Sequence, residues 1–462
     1  MKSWIKSLNQ LKIKRFIQFT ALSLGAATAC YLVGRLSAAF GSFAMYGLGA
    51  LTGGLLLLYS PFIGLLAMIV LIPGEELTAF IAGRTFVWVL GVATFGAWLL
   101  RVLTSGGKVK LNMTPTALVF LWFLWGLAST FWAQDQVVAL SGSIKVAQGA
   151  AFIILLQNLV KDNQKLKIVF FAYFGATVLF SLIAIGAGIS EAMKRITLTE
   201  GQNPNVLARA LGIGLLLTPY VFSQVRQIGW RILSLVGSLS LMVAIFMTGS
   251  RGTWLGLIGA TWLSWLISRW RFFKLRSLIV VTGLLFIVIL VLNNYGLISR
   301  TVLLRASTLV TREATLESAR AYIWRVGWEM IKDNPIIGVG LQNFPVRFED
   351  YISAAGVAGL PGIYPGRDPH SIFVAMQAEL GIPGLILILA LFWTILKKLL
   401  PYRIDKRAIC GILLLLFMAF SGAYATILYR KFFWLALGLA MLIPRVIENG
   451  KPSSACPVTH VS

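Results

Sequence analysis

Long apolar segments, joined mostly by short polar connections, make up nearly the whole chain. Most of these segments reach the roughly 20 residues that an α-helix needs to cross a bilayer. The pattern therefore predicts an all-α polytopic membrane protein. The predicted spans are residues 16–36, 41–58, 62–80, 85–103, 114–132, 138–159, 167–189, 205–225, 229–248, 252–269, 277–296, 371–396, 408–422 and 431–446.

The second and third predicted spans are interrupted by glycine and proline. Such segments form either separate spans or one broken or re-entrant pair. We therefore expect 12 to 14 transmembrane helices. Both counts leave the two ends of the chain on the same side of the membrane.

One long polar connection, residues 297–370, divides the chain. Residues 1–296 form an N-terminal set of helices, residues 371–446 a C-terminal set, and residues 447–462 a polar tail. The tail lacks the apolar content needed to pack, so we expect it to be disordered. The long connection is the extramembrane segment with enough residues to fold over a site.

A helix is predicted inside this connection, from Ser318 to Asp333, because apolar residues recur there at three- and four-residue spacing. Its aromatic residues suit the headgroup region of a membrane. The stretch Asn334–Gly340 follows, in which proline stops the helix and glycines permit turns. A lone G-x-G in that stretch is weak support for a phosphate-binding loop.

The formal net charge of +25 reflects how basic residues are distributed between the spans. The 462-residue chain is 58% hydrophobic and 12% charged, and its charge is not gathered on a soluble domain, which argues against nucleic acid as a partner. Alternate connections carry the basic clusters, so the positive-inside rule places these clusters and both termini in the cytoplasm. The clusters are Arg101/Lys108/Lys110, Lys161/Lys165/Lys167, Arg226/Arg231, Arg269/Arg271/Lys274/Arg276 and Lys397/Lys398/Arg403/Lys406/Arg407.

Metal and nucleophile motifs are absent from the sequence. Cys30, Cys410 and Cys456 are scattered without a CxxC or histidine-spaced pattern, so neither a zinc site nor a disulfide framework is expected. HExxH, DxD, Walker and serine-elbow motifs do not occur either. We therefore expect chemistry that uses no metal and no other cofactor.

Several cations lie where topology does not require them. Lys145, Arg209 and Arg251 fall inside or at the outer ends of apolar spans, where a charge needs a water-filled cavity, a partner or an anionic ligand. Together with the loop arginines they favour a phosphate or diphosphate ligand. The alternative is that they reach lipid headgroups or pair with loop acids. The loop arginines are Arg300, Arg305, Arg312, Arg320, Arg325, Arg347 and Arg367.

His370 stands where the long connection meets the next span, in the run Arg367–Ser371. Histidine has an unperturbed pKa near working pH, so a histidine beside several arginines is a natural general base for an anionic substrate. The alternative is a helix-boundary histidine held by a backbone hydrogen bond.

Three pieces of sequence between about Thr248 and Gly384 occur together. They are Ser250–Leu255, which contains an Arg-x-x-x-Leu element; Ser318–Trp324, continuing through Asn334-Pro335 to Gly338–Phe344; and His370-Ser371, followed by Gly381 and Gly384. Together they resemble the O-antigen ligase and polymerase family of bacterial envelope glycosyltransferases. Ser371 stands where that family often has asparagine, a substitution that the motif tolerates.

The resemblance implies a GT-C-like fold at the periplasmic face of the bacterial inner membrane, acting on an undecaprenyl-diphosphate-linked glycan without a metal. By position, His370 would deprotonate an acceptor hydroxyl, and a single displacement would invert the anomeric carbon. Arg251 and Arg320 would hold the donor diphosphate, with Arg209 as a weaker candidate. Candidate supporting residues are Lys145, Arg325, Arg367 and Ser371.

Two questions stay open at this point. Ligase and polymerase use the same donor and the same base and differ in the acceptor, which is a lipid A core, a growing glycan or a protein. Membrane lipid is a further expected partner of either enzyme. A transporter of a small anion such as bicarbonate is the alternative from another class. Transporters place charges near the bilayer midplane in repeated halves, whereas here the unusual charges crowd one edge and no internal repeat is visible.

Overall fold

The computed structural model describes residues 52–78, 85–190, 195–198, 203–268, 293–294, 296, 298, 300–307, 319–360 and 362–450. Regular structure in these ranges is helical, without strands, as the apolar pattern predicts. The helices are α1 (Thr52–Tyr59), α2 (Pro61–Leu71), α3 (Phe86–Ser105), α4 (Met113–Ala128), α5 (Gln136–Leu159), α6 (Asn163–Ser190), α7 (Pro204–Gln224), α8 (Ile228–Met247), α9 (Arg251–Ile267), α10 (Arg300–Ser307), α11 (Ala319–Asp333), α12 (Phe344–Arg347), α13 (Ile372–Leu399), α14 (Lys406–Gly422) and α15 (Lys431–Asn449).

Eight of these helices, α3 to α8, α13 and α15, are long and apolar enough to cross a membrane. They confirm the prediction of a polytopic helical membrane protein. Helices α1 and α2 meet the same test only as a bent pair, which agrees with a broken or re-entrant segment at this point. Helices α9 and α14 are shorter and coincide with the predicted spans 252–269 and 408–422.

Some predictions fall on residues outside the described ranges. The span 16–36, most of the spans 41–58 and 277–296, and residues 451–462 of the tail are among them. The count of 12 to 14 spans therefore stays a prediction. The chain divides after Ile63 into two units, and every helix from α3 onward belongs to the second.

The centre of this second unit is formed by α14 and α15. Helix α14 packs against α7, α9, α13 and α15, and α15 packs against α5. The most apolar window of α15 is 83% buried, as expected for a helix that is hydrophobic all round. Gly149 allows the close approach of α5, because a Cβ at this position would lie 2.1 Å from Cε2 of Trp434.

Two of the basic connections, those around Lys161 and Arg407, lie at one end of the bundle. Arg407 at the start of α14 donates from Nη1 to Oδ1 of Asn163 at 3.3 Å, and Asn449 at the end of α15 donates from Nδ2 to the carbonyl of Lys161 at 3.3 Å. Helices α7, α13 and α15 therefore begin at the opposite end. The sequence places the unexplained cations at that opposite end, and it is called the site end below.

The segment 319–360 folds as a layer of short helices and turns. Its helix α11 confirms the helix predicted from Ser318 to Asp333. The layer has its own apolar core, made by Ile323, Val326, Met330, Ile331, Val339, Phe344, Phe348, Tyr351 and Val357 together with Ala378 of α13. Gly327 brings α11 close to α13, because a Cβ there would lie 2.8 Å from Cγ1 of Val374.

Asn343 ties this layer to the connection between α4 and α5. Its Oδ1 accepts a hydrogen bond from the backbone N–H of Asp135 at 2.8 Å, and its Nδ2 donates to the Asp135 carbonyl at 3.1 Å. Ser129 accepts from the backbone N–H of Leu341 at 3.0 Å. These buried bonds fix the turn that follows Gly340 against the membrane helices.

Candidate functional site

His370 lies directly before α13 and is held in an uncommon backbone conformation. Its φ is +51°, in the left-handed region that non-glycine residues seldom adopt. Ser371 caps α13 by accepting a hydrogen bond from the backbone N–H of Val374 at 3.4 Å, and Trp324 of α11 donates from Nε1 to the carbonyl of Pro369 at 3.0 Å. Both neighbours of His370 are therefore fixed, and the imidazole is 31% exposed.

The surroundings of His370 keep the imidazole neutral at ordinary pH. Burial, followed by the positive charges of Arg320, Arg367 and Arg209, lowers its pKa to about 4. The Nδ1 atom lies 3.8 Å from Oδ2 of Asp368, beyond hydrogen-bond length. The structure therefore brings three sequence-predicted arginines within electrostatic range of the predicted base.

Arg209 is the most unusual of these cations. It lies in the second turn of α7, is only 3% exposed, and donates from Nη1 to the carbonyl of Asn205 at 3.1 Å. Its Nε is buried and has no hydrogen-bond partner among the described residues. A buried guanidinium with an unused donor is suited to an anionic ligand, because the unpaired group is otherwise costly.

The start of α9 lies beside this guanidinium. Gly249 has a φ of +62°, and the turn that it makes leads directly into Arg251 as the first residue of α9. A Cβ on the next residue, Gly252, would lie 3.7 Å from Nη2 of Arg209. The Ser-Arg-Gly turn and the buried arginine of α7 therefore meet at the site end, although 42 positions separate Arg209 from Arg251.

The other predicted arginines differ in their surroundings. Arg367 is fixed, because its Nε donates to the carbonyl of Gly362 and its Nη1 to the hydroxyl of Tyr364, both at 2.8 Å. Arg325 is exposed, and its guanidinium lies 5.6 Å from the ring centre of Tyr322. The side chains of Arg300, Arg305 and Arg312 lie outside the described residues.

Lys145 belongs to a second polar group at the same end. Its Nζ donates to Oε1 of Gln342 at 3.1 Å and lies 5.4 Å from the ring centre of Tyr429. Both of these partners reach the buried carboxylate of Glu379. The backbone N–H of Gln342 donates to Oε2 at 2.8 Å, and the Tyr429 hydroxyl donates to the same oxygen at 3.4 Å. Burial raises the pKa of Tyr429, so its hydroxyl stays protonated as a donor.

A break in α13 makes room for this group. Gly381 has a φ of +67°, and the loop from Pro335 packs across the break with backbone hydrogen bonds. Val339 donates to the Ala378 carbonyl at 2.9 Å, Gly340 to the Glu379 carbonyl at 2.8 Å, and Ile382 to the Pro335 carbonyl at 2.9 Å. The glycines of the G-x-G stretch therefore serve close backbone packing. The loop and the Gly381–Gly384 piece, separate in the sequence, form one unit.

Sequence reasoning did not select Glu379, Tyr429, Arg430 or Asp368. Arg430 lies within electrostatic range of Lys145 and Arg209, and its Nη1 is 3.1 Å from Oε1 of Glu76. The sequence did contain a signal for Arg430, because Arg430 and Lys431 lie at the predicted outer end of the last apolar span. Lys145 was selected because it is a cation inside or at the outer end of an apolar span, and Arg430 meets the same criterion. The acid Glu379 had no such signal, since nothing local shows that α13 breaks beside it.

Fold and geometry together define a helical membrane protein with several arginines clustered around a neutral histidine at one end of its bundle. Residues 234–389 match the family described as O-antigen ligase, and this stretch contains His370, Arg251 and Arg320. The match confirms the resemblance to that superfamily.

One similar protein is the teichuronic acid biosynthesis protein TuaE of Bacillus subtilis (strain 168). It is 25% identical over 246 residues, which cover 50% of this chain and 50% of that protein. The matched region thus spans about half the length of this relative.

Proposed function

We propose that this protein is a membrane enzyme of cell-envelope polysaccharide biosynthesis that transfers a glycan from an undecaprenyl-diphosphate donor to an acceptor hydroxyl, as an O-antigen ligase does. The observation that carries the proposal is the buried guanidinium of Arg209, whose unpaired Nε lies in the arginine cluster beside the neutral imidazole of His370. The match of residues 234–389 to the O-antigen ligase family supports the same class of reaction.

Arg209, Arg251 and Arg320 bind the donor diphosphate in this proposal. Guanidinium groups suit the task because they offer paired N–H donors to phosphate oxygens and stay charged when partly desolvated. As the glycosidic bond breaks, negative charge grows on the departing diphosphate, and cations already in place stabilise it without reorganisation. The chain's own arginines thereby supply the charge that a metal supplies in other transferases.

His370 acts as the general base. The carboxylate of Asp368 lies on the Nδ1 side at 3.8 Å and favours the tautomer with its proton on Nδ1. The lone pair of Nε2 then accepts the proton of the acceptor hydroxyl while its oxygen attacks the anomeric carbon. The bond from that carbon to the diphosphate oxygen breaks, the electron pair leaves with the diphosphate, and the anomeric configuration inverts.

Donor binding also tunes the base. Arg320 and Arg209, two of the arginines that lower the pKa of His370, are neutralised when a diphosphate lies between them. The imidazole is then a stronger base in the complex than in the free protein. His370 therefore reaches its full basicity only when the donor is bound.

The site end lies at the periplasmic face, and both termini lie in the cytoplasm. The positive-inside rule supports this orientation, because the basic connections around Lys161 and Arg407 lie at the other end of the bundle. The chain is accordingly a multi-pass protein of the bacterial inner membrane.

A polymerase of the same superfamily is the second candidate. The name of the relative supports this candidate, because it gives teichuronic acid, and not a lipid A core, as the product of biosynthesis. Donor and base are the same in both activities, and the acceptor decides between them.

The test compares cells that carry His370→Asn, Arg209→Lys or wild-type protein at matched membrane levels with a deletion strain. Asparagine tolerates positive φ better than most residues, so His370→Asn removes the base with little backbone strain. We expect both variants to lose the surface glycan and to accumulate lipid-linked donor. His460→Asn and Arg445→Lys, which change the other histidine and an arginine at the opposite end, should behave as wild type. Normal glycan in both site variants would contradict the proposal and leave anion transport as the leading alternative.

A further inference from the structure

A cavity of about 210 Å³ lies between α3, α5 and α15, next to Lys145. Its walls are mainly apolar and include the side chains of Trp88, Phe95 and Trp434, while Gln148 and Lys145 add polar groups. A largely apolar cavity with a few polar groups is typical of a small-molecule or lipid site. Nothing in the donor-binding arrangement described above uses this cavity.

The cavity is open to the lipid side of the protein at α3. Val92 lines it and is 56% exposed, and only 22% of the apolar window of α3 is buried inside the protein. Because α3 is a candidate membrane span, the exposed side of this helix faces hydrocarbon. A lipid chain can therefore enter sideways from the bilayer, without leaving an apolar environment.

A series of side-chain interactions links Lys145, at the cavity wall, with the surroundings of His370. Lys145 lies over the ring of Tyr429, whose hydroxyl donates to Glu379, and Asp368 lies within electrostatic range of both. Asp368 in turn is the carboxylate beside His370. Lys145 is thus connected to His370 through Tyr429, Glu379 and Asp368. The arginines that lower the pKa of His370 are not part of this series of contacts.

We propose that this cavity holds the lipid chain of a lipid-linked acceptor, a glycan on a polyprenyl phosphate, with Lys145 facing the phosphate. The proposal rests on the proposed function and names the acceptor class for the same site. Donor diphosphate and acceptor phosphate then bind to separate cations, and the acceptor sugar extends toward His370. Transfer from one lipid-linked glycan to another is the reaction of a polymerase, so this acceptor favours the second of the two candidate activities over the ligase.

A single-chain lipid is favoured over a many-chain one for reasons of size and charge. Pockets for drug-sized ligands measure about 300–1,000 Å³, so the smaller volume here fits a segment of one chain. Lysine acts as a compact point charge and suits one phosphate, whereas the second lysine of the lining, Lys431, is already paired with Glu75. A lipid A core has several acyl chains and several phosphates, so it is too large for the cavity volume and carries more negative charge than one lysine can balance.

The experiment uses the full chain in nanodiscs of phosphatidylcholine and a polyprenyl phosphate probe that carries a diazirine on its chain. After irradiation, mass spectrometry locates the labelled peptides. We expect labels on the peptides of α3 and α5 that contain Trp88, Phe95 and Ala151. Unlabelled polyprenyl phosphate should remove them, while an equal concentration of phosphatidylglycerol should not. Equal competition by phosphatidylglycerol would show a general anionic-lipid site and overturn the proposal.

Two cavity-filling substitutions test the location. Ala151→Trp fills the cavity from α5, and Val92→Trp narrows its exposed side, where a large residue is less able to disturb folding. We expect each to lower cavity labelling at least fivefold. Leu140→Trp, on the lipid-exposed side of the same helix α5, is the matched control and should label as wild type. Unchanged labelling in both cavity variants would overturn the proposal.

Three further outcomes separate this proposal from the proposed function. Arg209→Lys should weaken donor binding and leave cavity labelling intact, since the two sites use different cations. Cavity labelling without any glycan transfer by wild-type protein would retain the lipid site and reject the transferase. Normal transfer to lipid-linked acceptors by both cavity variants would retain the transferase and reject the cavity as the acceptor site.

Discussion

The indole Nε1 of Trp324 donates a hydrogen bond to the carbonyl oxygen of Pro369 at 3.0 Å, across 45 positions of sequence. Trp324 lies on helix α11, one turn after Arg320, so the two side chains share a face of that helix. Helix α11 therefore carries a candidate diphosphate ligand and also the group that fixes the residue before His370. The packing of helix α11 therefore fixes the position of Arg320 relative to His370.

Trp324→Phe removes this hydrogen bond and keeps an aromatic ring in place. A hydrogen bond contributes about 0.5–1.5 kcal/mol, so we expect a fall of about 2- to 12-fold in kcat as His370 loses its fixed position. Donor binding should change little, because Arg320 remains. Glycan transfer by purified protein in proteoliposomes measures both quantities. Trp328→Phe, at a position that is 57% exposed on the same helix, is the control, and an equal loss there would contradict this role.

The pH dependence of transfer should differ between free and donor-bound protein. A base works only when unprotonated, so the rate rises with pH through its pKa. The kcat/KM profile reports free protein and should show its acid limb near pH 4, the pKa to which burial and the arginines lower His370. The kcat profile reports the complex, in which bound diphosphate offsets those arginines, and its acid limb should lie at higher pH.

Histidine NMR gives an independent measurement of the same shift. In His460→Asn protein, His370 is the remaining histidine of the chain, and its imidazole signals can be titrated with and without a diphosphate lipid. We expect the pKa to rise on binding, and also to rise in Arg320→Gln protein without ligand, since one of the charges that lower it is gone. A pKa that stays the same in both experiments would rule out this electrostatic coupling.

Arg209→Met should separate stability from function. Removing a buried guanidinium with an unpaired Nε is expected to raise the free energy of unfolding by about 1–3 kcal/mol, because the penalty of an unsatisfied buried donor disappears. Donor binding should fall about 10- to 100-fold, as expected for the loss of a charge-assisted hydrogen bond. Thermal unfolding in detergent and binding of a diphosphate lipid measure the two effects.

Arg445→Met is the matched control for that experiment. The Nη1 of Arg445 donates to the carbonyl oxygens of Lys110 and Gln157, at 3.4 and 3.3 Å, so its loss should lower stability and leave donor binding unchanged. Equal destabilisation in both variants would mean that Arg209 is structurally satisfied.

Gly381→Ala should destabilise the protein because the break in α13 requires glycine. The φ of +67° costs an alanine about 1–3 kcal/mol, and its Cβ would lie 2.0 Å from the carbonyl oxygen of Ile336. We expect a lower unfolding temperature and loss of transfer, since the loop that holds Gln342 moves. Gly175→Ala in α6 has open space around it and should be neutral or slightly stabilising. Equal unfolding temperatures for the two variants would show that the break tolerates a side chain.

The sequence by itself determined the helices and the place of the histidine. Apolar length fixes where spans lie, and α11 follows from three- and four-residue spacing, because both depend on neighbours along the chain. A charge inside an apolar segment is visible in the same way, which is why Arg209 and Lys145 were selected. These residues remain predictions for function, and the structure adds the surroundings that make them testable.

Only the tertiary structure decided which distant groups meet. Gln342 and Tyr429 both reach Glu379, across 37 and 50 positions, and the acid becomes visible only once α13 is broken at Gly381 and the loop from Pro335 crosses it. The orphaned Nε of Arg209 is likewise a property of packing, because hydrogen-bond satisfaction depends on every surrounding helix. Local hydrophobicity determines where the helices form. The partners of buried polar groups are determined by contacts between residues that are far apart in the sequence.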